Sequence, residues 1–245
     1  NTIQIRRAYE DTLAALATAL DSKDHETTEH SFRVMEFTLK IAQQMNINEQ
    51  ELIHIERAAL LHDIGKIGIP DSILTKNTQL SNEEWKIMQK HPRIGFEILA
   101  TIDFLQHAAE IVYSHHERWD GKGYPRGLIA EKIPIGARIF AVADAFDAMT
   151  SNRPYRKALN YNVAKNAIYI QSGKQFDPKV VNAFMTINEQ IWQEIRQQVS
   201  NYVNSLQNQA QTKINNLNSL NNKNKNQIIS TPLLKNYYNN IQKNT

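Results

Sequence analysis

Apolar positions recur along most of this chain at intervals of three and four residues, the spacing that gathers them on one face of an α-helix. Ile5, Tyr9, Leu13, Leu16, Ala17 and Leu20 share such a face and predict an amphipathic helix over residues 3–20. A second helix is expected over about 26–45, with Val34, Phe37, Ile41 and Met45 on its apolar side. A third starts near Glu49, runs through Ile53, Ala58 and Leu61, and ends near Gly65, read as a helix C-terminal glycine. KIGIPDSIL reads as a loop around Pro70. Ser81 followed by Glu84 has the capping-box pattern, and helices follow over about 92–100 and 102–114. Residues 117–133, with Asp120, Gly121, Gly123, Pro125 and Gly127, hold too many turn formers for regular structure and predict a long loop. Helices return over 134–149 and 160–170, and Asp177-Pro178 supplies an N-cap and a first-turn proline. From there Val181, Phe184, Ile187, Ile191, Ile195, Val199, Tyr202, Leu206, Ala210 and Leu217 sustain one long helix. No segment alternates with period two, so the expected fold class is all-α.

Composition narrows the chemistry. The chain has 245 residues, 41% of them hydrophobic, which is enough for a substantial core. It has no cysteine, which removes disulfides, zinc ribbons, iron–sulfur ligation and thiol nucleophiles together. The net charge of +3 is uneven: from Arg196 onward there are six basic residues and no acid, so the first 195 residues carry −3. The body therefore gives no electrostatic argument for a nucleic-acid polymer. Fourteen asparagines lie from Asn201 onward, and the end of the chain reads as a low-complexity extension. No apolar run approaches the roughly 20 residues that span a bilayer, and the start at Asn1 is read as a cut from a longer chain.

Candidate chemistry lies in the histidines, five of which sit within a pattern of carboxylates. Glu26 and His30 stand four apart, His62 and Asp63 are adjacent, His91 precedes Pro92, His115 and His116 are adjacent, and Asp144 interrupts an apolar segment. Imidazole and carboxylate suit borderline divalent metals, and so many donors exceed the needs of one tetrahedral ion. Each station also has a plain reading. An i,i+4 Glu–His pair is commonly a surface hydrogen bond, and His62-Asp63 is equally readable as a buried hydrogen-bonded pair. Adjacent imidazoles point about 100° apart on a helix, so His115 and His116 face one cluster only from a helix end or a cavity rim. Asp147 reads as the structural partner of a loop or an arginine, and Lys66, four after His62, as either solvated or placed to meet a phosphate.

Taken together, HETTEHSFRV, AALLHDIGKIGIPDSIL, HPRIGFEIL, HHERWDGKGYPRGL, IPIGARIFAVADAFDAMTSNRPYR and QFDP resemble the HD-GYP family, a branch of the HD phosphohydrolases associated with cyclic di-GMP hydrolysis. The resemblance implies an HD-type helical bundle with a long GYP loop. It implies that His30, His62, Asp63 and Asp144 hold one metal, and that Asp63 bridges to a second held by His91, His115 and His116. Glu26 matches an acidic residue that some members use for a third ion. Lys66 matches a lysine that contacts the scissile phosphate, which makes Asp63 and Lys66 the catalytic pair. Gly123, Tyr124 and Pro125 are the GYP triplet, and Arg153 and Arg156 fall where basic contacts to the dinucleotide are expected. The resemblance also implies two or three divalent ions, iron or manganese, a cytoplasmic setting and a GGDEF-type signalling partner.

The expected organisation is a linker helix over 1–24 leading from an upstream sensory or receiver domain, a catalytic domain over 25–186, an amphipathic helix over 187–220 and an Asn-rich tail over 221–245. The terminal helices are expected to pack together or to form a homodimer. Two alternatives stand beside hydrolysis of cyclic di-GMP to pGpG or GMP: an HD hydrolase acting on another cyclic dinucleotide or a nucleotide, and a cyclic di-GMP-binding module with little turnover.

Overall fold

The computed structural model describes residues 2–21, 23, 28–152 and 156–229, with side chains described for 9, 11–21, 23, 29–152 and 156–216. Among these residues every regular element is helical: α1 (Thr2–Asp21), α2 (Thr28–Gln44), α3 (Glu49–Leu61), α4 (Asp71–Leu74), α5 (Asn82–Met88), α6 (His91–Leu99), α7 (Gln106–Ser114), α8 (Ile135–Thr150), α9 (Tyr161–Ile170), α10 (Pro178–Thr186) and α11 (Glu189–Ile229). Short 3-10 turns lie at Ile64–Gly68, Asp103–Leu105 and Ala130–Lys132. No helix among the described residues is long and apolar enough to cross a membrane.

The chain forms two compact units, 1–199 and 200–245. The boundaries drawn from the sequence at 24 and 186 both fall inside the first. The second continues α11 as far as Ile229.

Within the first unit α2 packs between α3 and α8, α7 covers α3 and α6, and α6 lies on the 3-10 turn Ile64–Gly68. Phe37 of α2, Phe146 of α8, Phe184 of α10 and Trp192 of α11 meet at ring distances of 5.0–5.6 Å. All four are almost fully buried. Each such side chain contributes about 1.5–3 kcal/mol through burial, so this cluster anchors α2 and α8, the two helices that carry His30 and Asp144.

Several elements differ from the sequence expectation for local reasons. α2 stops before Met45 because Asn46 takes φ 55° and the Ile47 N–H closes on the Ala42 carbonyl at 3.1 Å, a left-handed cap that asparagine tolerates. Of the expected apolar face of α1, Leu13, Ala17 and Leu20 are buried, Tyr9 and Leu16 are exposed, and Tyr9 rests on Phe104 at 5.2 Å; the Ile5 side chain lies outside the described residues. The segment read as a loop around Pro70 contains both a 3-10 turn and α4. The single long helix after Asp177 is two: Ile187 is extended, and Asn188 restarts the chain by accepting the Ile191 N–H at 3.1 Å.

Gly65 is not a helix C-terminus. α3 ends at Leu61, and a Cβ on Gly65 would stand 1.9 Å from the His91 carbonyl oxygen and 2.5 Å from the Gly95 nitrogen. Its missing side chain lets the chain after His62-Asp63 touch the helix that begins at His91.

Candidate metal centre

Each histidine of interest sits at the end of an element or on a face turned to one cavity. His62 caps the C-terminus of α3, His91 opens α6, and His115 caps α7 with His116 next to it. The helix-end geometry is what allows the adjacent pair to converge, their rings 4.0 Å apart. His91, His115 and His116 bring one ligand atom each to within 4.8 Å of one another. The described residues hold no second group of that kind.

Asp63 lies between this trio and the other candidates. Its Oδ1 is 3.4 Å from His91 Nε2 and 4.0 Å from His115 Nε2, while its Oδ2 is 3.1 Å from His62 Nε2 and 2.7 Å from Lys66 Nζ. His30 Nε2 is 3.8 Å from Asp144 Oδ1, and the His30 and His62 rings are 5.9 Å apart. The cavity so formed is about 240 Å³, lined by His30, His62, Asp63, Lys66, His91, His116, Tyr124 and Asp144, and also by Trp85, Met88 and Ala148.

The backbone orients the imidazoles. His62, His91 and His115 each place Nδ1 against the carbonyl three residues earlier, Ala59 at 2.8 Å, Met88 at 2.8 Å and Val112 at 2.6 Å. A carbonyl only accepts, so Nδ1 carries a proton in each, and the Nε2 atoms turn toward Asp63, that of His62 at 3.1 Å, His91 at 3.4 Å and His115 at 4.0 Å. His30 reaches the same tautomer through a carboxylate, Nδ1 donating to Asp147 Oδ2 at 2.8 Å. Asp147 is fully buried and also accepts from Arg33 Nε at 2.7 Å and Arg33 Nη2 at 3.0 Å. It is an arginine's partner, as its sequence position implied, and it aligns His30 as well. The second role was signalled only by its three-residue offset from Asp144.

Charge is handled differently on the two sides of Asp63. Burial lowers the pKa of His91, drives that of His115 well below its ordinary value and takes His116 down to about 3, with the neighbouring imidazoles adding to the effect. These three are neutral donors at pH 7. Burial also works against protonation of His62, but the charge and hydrogen bond of Asp63 outweigh it and raise His62 to about 9. His30 is raised too, burial being overcome by Asp147 and Asp144. Asp144 is raised by burial, while Asp63, despite burial, is held well below the carboxylate range by His62 and Lys66.

The GYP segment closes one wall. Gly123 has no room for a side chain: a Cβ there would lie 2.4 Å from the Arg118 nitrogen and 2.6 Å from the His116 oxygen. That close approach seats Tyr124 over His116 at 4.8 Å, with the Tyr124 N–H on the His116 carbonyl at 3.2 Å and Pro125 next in the chain. Burial raises the Tyr124 pKa, so its phenol stays protonated. Glu117, buried and not singled out from sequence, ties the loop down by accepting the Arg126 N–H at 2.7 Å and the Leu128 N–H at 3.0 Å. Arg156 is exposed, its guanidinium donating to the Ala148 carbonyl. Glu26 and Arg153 lie outside the described residues. The donor set suits a borderline divalent cation, since three neutral imidazoles, two of them with tautomers fixed by backbone carbonyls, converge beside a carboxylate.

Known proteins resemble this chain in sequence and in fold. A family model described as HD domain matches residues 14–180. A cyclic di-GMP phosphodiesterase response regulator of Xanthomonas campestris pv. campestris is 43% identical over 192 residues, covering 78% of this chain and 51% of the relative. A cyclic di-GMP phosphodiesterase of Thermotoga maritima is 47% identical over 189 residues, covering 75% of this chain and 51% of the relative. The chain thus spans about half the length of these curated relatives. Among solved structures, a cyclic GMP-AMP specific phosphodiesterase of V. cholerae shares the fold at TM-score 0.61 and 22% identity, covering 78% of this chain and 52% of that one.

Proposed function

The chain belongs to the HD-domain family, and on that premise we propose that it is a metal-dependent phosphodiesterase that hydrolyses cyclic di-GMP to pGpG, GMP or both in bacterial second-messenger signalling. The observation that carries the reading is Asp63, whose two oxygens face two different sets of imidazoles while Lys66 stands 2.7 Å away. Names borne by relatives at 43% and 47% identity supply the substrate.

In this reading His91, His115 and His116 would hold one divalent ion and His30, His62 and Asp144 another, with Asp63 within reach of both groups. Glu26 is assigned to a third. Iron or manganese is the metal the family resemblance implies; histidine and carboxylate donors accept both, and availability decides between them. Bound ions would supply Lewis acidity to the phosphodiester and an activated water. The residues of the chain do the rest. Lys66 presents fixed positive charge where a non-bridging oxygen or the departing 3′-oxygen would lie. Tyr124, set by Gly123 and Pro125, walls the cavity and keeps its hydroxyl as a donor. Arg153 and Arg156 are assigned to the phosphates by bidentate pairing. The protein acts in the cytoplasm, with a GGDEF-type protein as signalling partner.

The test is anaerobic purification, loading with Fe(II) or Mn(II), and chromatography of the products formed from cyclic di-GMP. Release of pGpG or GMP that stops on chelation is expected. A loaded protein that binds cyclic di-GMP without cleaving it, or that cleaves only a different cyclic dinucleotide, would overturn the assignment.

A further inference from the structure

Helix α5 has no buried residue. Polar contacts hold it in place: the Ser81–Glu84 capping box, and Lys76 Nζ on both Glu84 oxygens at 2.8 and 2.6 Å. Two of its three apolar residues, Trp85 and Met88, stand three apart, hence on one face. Both line the cavity of the histidine cluster rather than the core. Trp85 is 47% exposed, an unusual state for the largest apolar side chain on a helix this short. Its indole stands edge-on to Tyr124 at 6.3 Å, Tyr124 lies on His116 at 4.8 Å, and His116 meets His91 at 5.0 Å. A row of rings therefore leads from the rim to the candidate metal ligands.

Size indicates what the rim receives. A cavity of about 240 Å³ is smaller than the ~300–1,000 Å³ of pockets that engulf a drug-sized ligand. A nucleotide whose phosphate reaches the histidines must leave its base outside, at the level of Trp85.

We propose that Trp85 is a substrate-binding residue whose indole stacks on a purine base of the nucleotide, so that α5 positions the base while the histidine cluster takes the phosphate. The proposal rests on the reading that a nucleotide phosphate seats at that cluster. Stacking on an aromatic face needs no hydrogen-bond code and uses a surface that the protein itself leaves open.

The full chain, loaded with Mn(II), is titrated with GMP and with ribose 5-phosphate, which carries the same phosphate and no base, while calorimetric affinity and tryptophan fluorescence are recorded. The expected result is quenching by GMP and none by ribose 5-phosphate. Trp85→Phe should abolish the quench yet keep affinity for GMP close to that of the unaltered protein. Trp85→Ala should weaken GMP by about tenfold or more with ribose 5-phosphate unaffected. Quenching that survives in Trp85→Phe, or equal weakening of both ligands in Trp85→Ala, overturns the proposal. Thermal unfolding checks each variant, and if Trp85→Ala does not fold, the quench in Trp85→Phe decides. A protein that stacks GMP in this base-dependent way but never cleaves cyclic di-GMP would remove the hydrolytic reading and leave this one standing.

Discussion

His91, His115 and His116 on one side of Asp63, and His30, His62 and Asp144 on the other, are both buried or half-buried groups of donors, yet their protons are controlled in opposite ways. The first group contains no carboxylate of its own, and burial keeps its imidazoles neutral, with His116 down to about 3. In the second, carboxylates overcome burial and hold a proton on His62 up to about pH 9. A neutral imidazole offers its lone pair without competition, whereas a cation entering the second group must displace a proton. Asp63 joins the two, and Gly65 lets the segments that carry them touch.

Asp63→Ala breaks the junction and should have the largest effect. Turnover of cyclic di-GMP should fall to background and metal content should drop in both halves, with the helical circular-dichroism signal retained. Unchanged metal content would mean that the halves do not share Asp63.

Asp147→Asn separates the halves more selectively. Arg33 loses the charge of its buried partner but keeps Glu29 at 3.2 Å, so the loss of stability is smaller than the roughly 3–5 kcal/mol that an uncompensated buried charge costs. The metal affinity of the His30 side should fall about 10–100-fold, as for other residues that orient a ligand. Calorimetric metal titration that shows both halves weakened equally would contradict the selective role.

Gly65→Ala drives a Cβ against the His91 backbone, and overpacking of this kind costs about 1–3 kcal/mol. Melting should come earlier and turnover should fall, since α6 must move away from Asp63. A variant as stable and active as the parent would show that the contact is not needed.

These effects also show what could be read from sequence. The all-α class was legible from the apolar period, and the grouping of His62, Asp63, His91, His115 and His116 from the resemblance carried by their joint order, since each motif alone has a plain reading. The tie of Asp147 to His30 and the roles argued for Gly65 and Trp85 were not. Asp147 meets Arg33 and His30 across separations of 114 and 117 residues, Gly65 is explained by a carbonyl on another helix, and Trp85 follows the same apolar period as a core residue. The break at Ile187 was hidden because the apolar period runs through it, although Asn188 is a recognisable cap.

The proton comparison predicts a smaller effect. Metal uptake at pH 7 by His91→Ala, which leaves the His30 and His62 side intact, should release about one proton from His62. Uptake by His62→Ala, which leaves the neutral trio, should release fewer. Affinity on the His62 side should rise with pH until about 9 and then level off, because the competing proton is gone. An indicator-dye titration that finds equal release from the two variants would erase the distinction. Truncation after Leu220 should change least of all: stability should shift by less than about 0.5 kcal/mol with turnover preserved, as melting and product chromatography would show.

The most direct measurement is turnover of cyclic di-GMP against the number of divalent ions bound per chain, followed during anaerobic titration of metal-free protein. If both halves must act on one phosphodiester, the first equivalent fills a site without producing activity and turnover rises only as the second binds. Full activity with one ion bound, or with none, would contradict the paired centre.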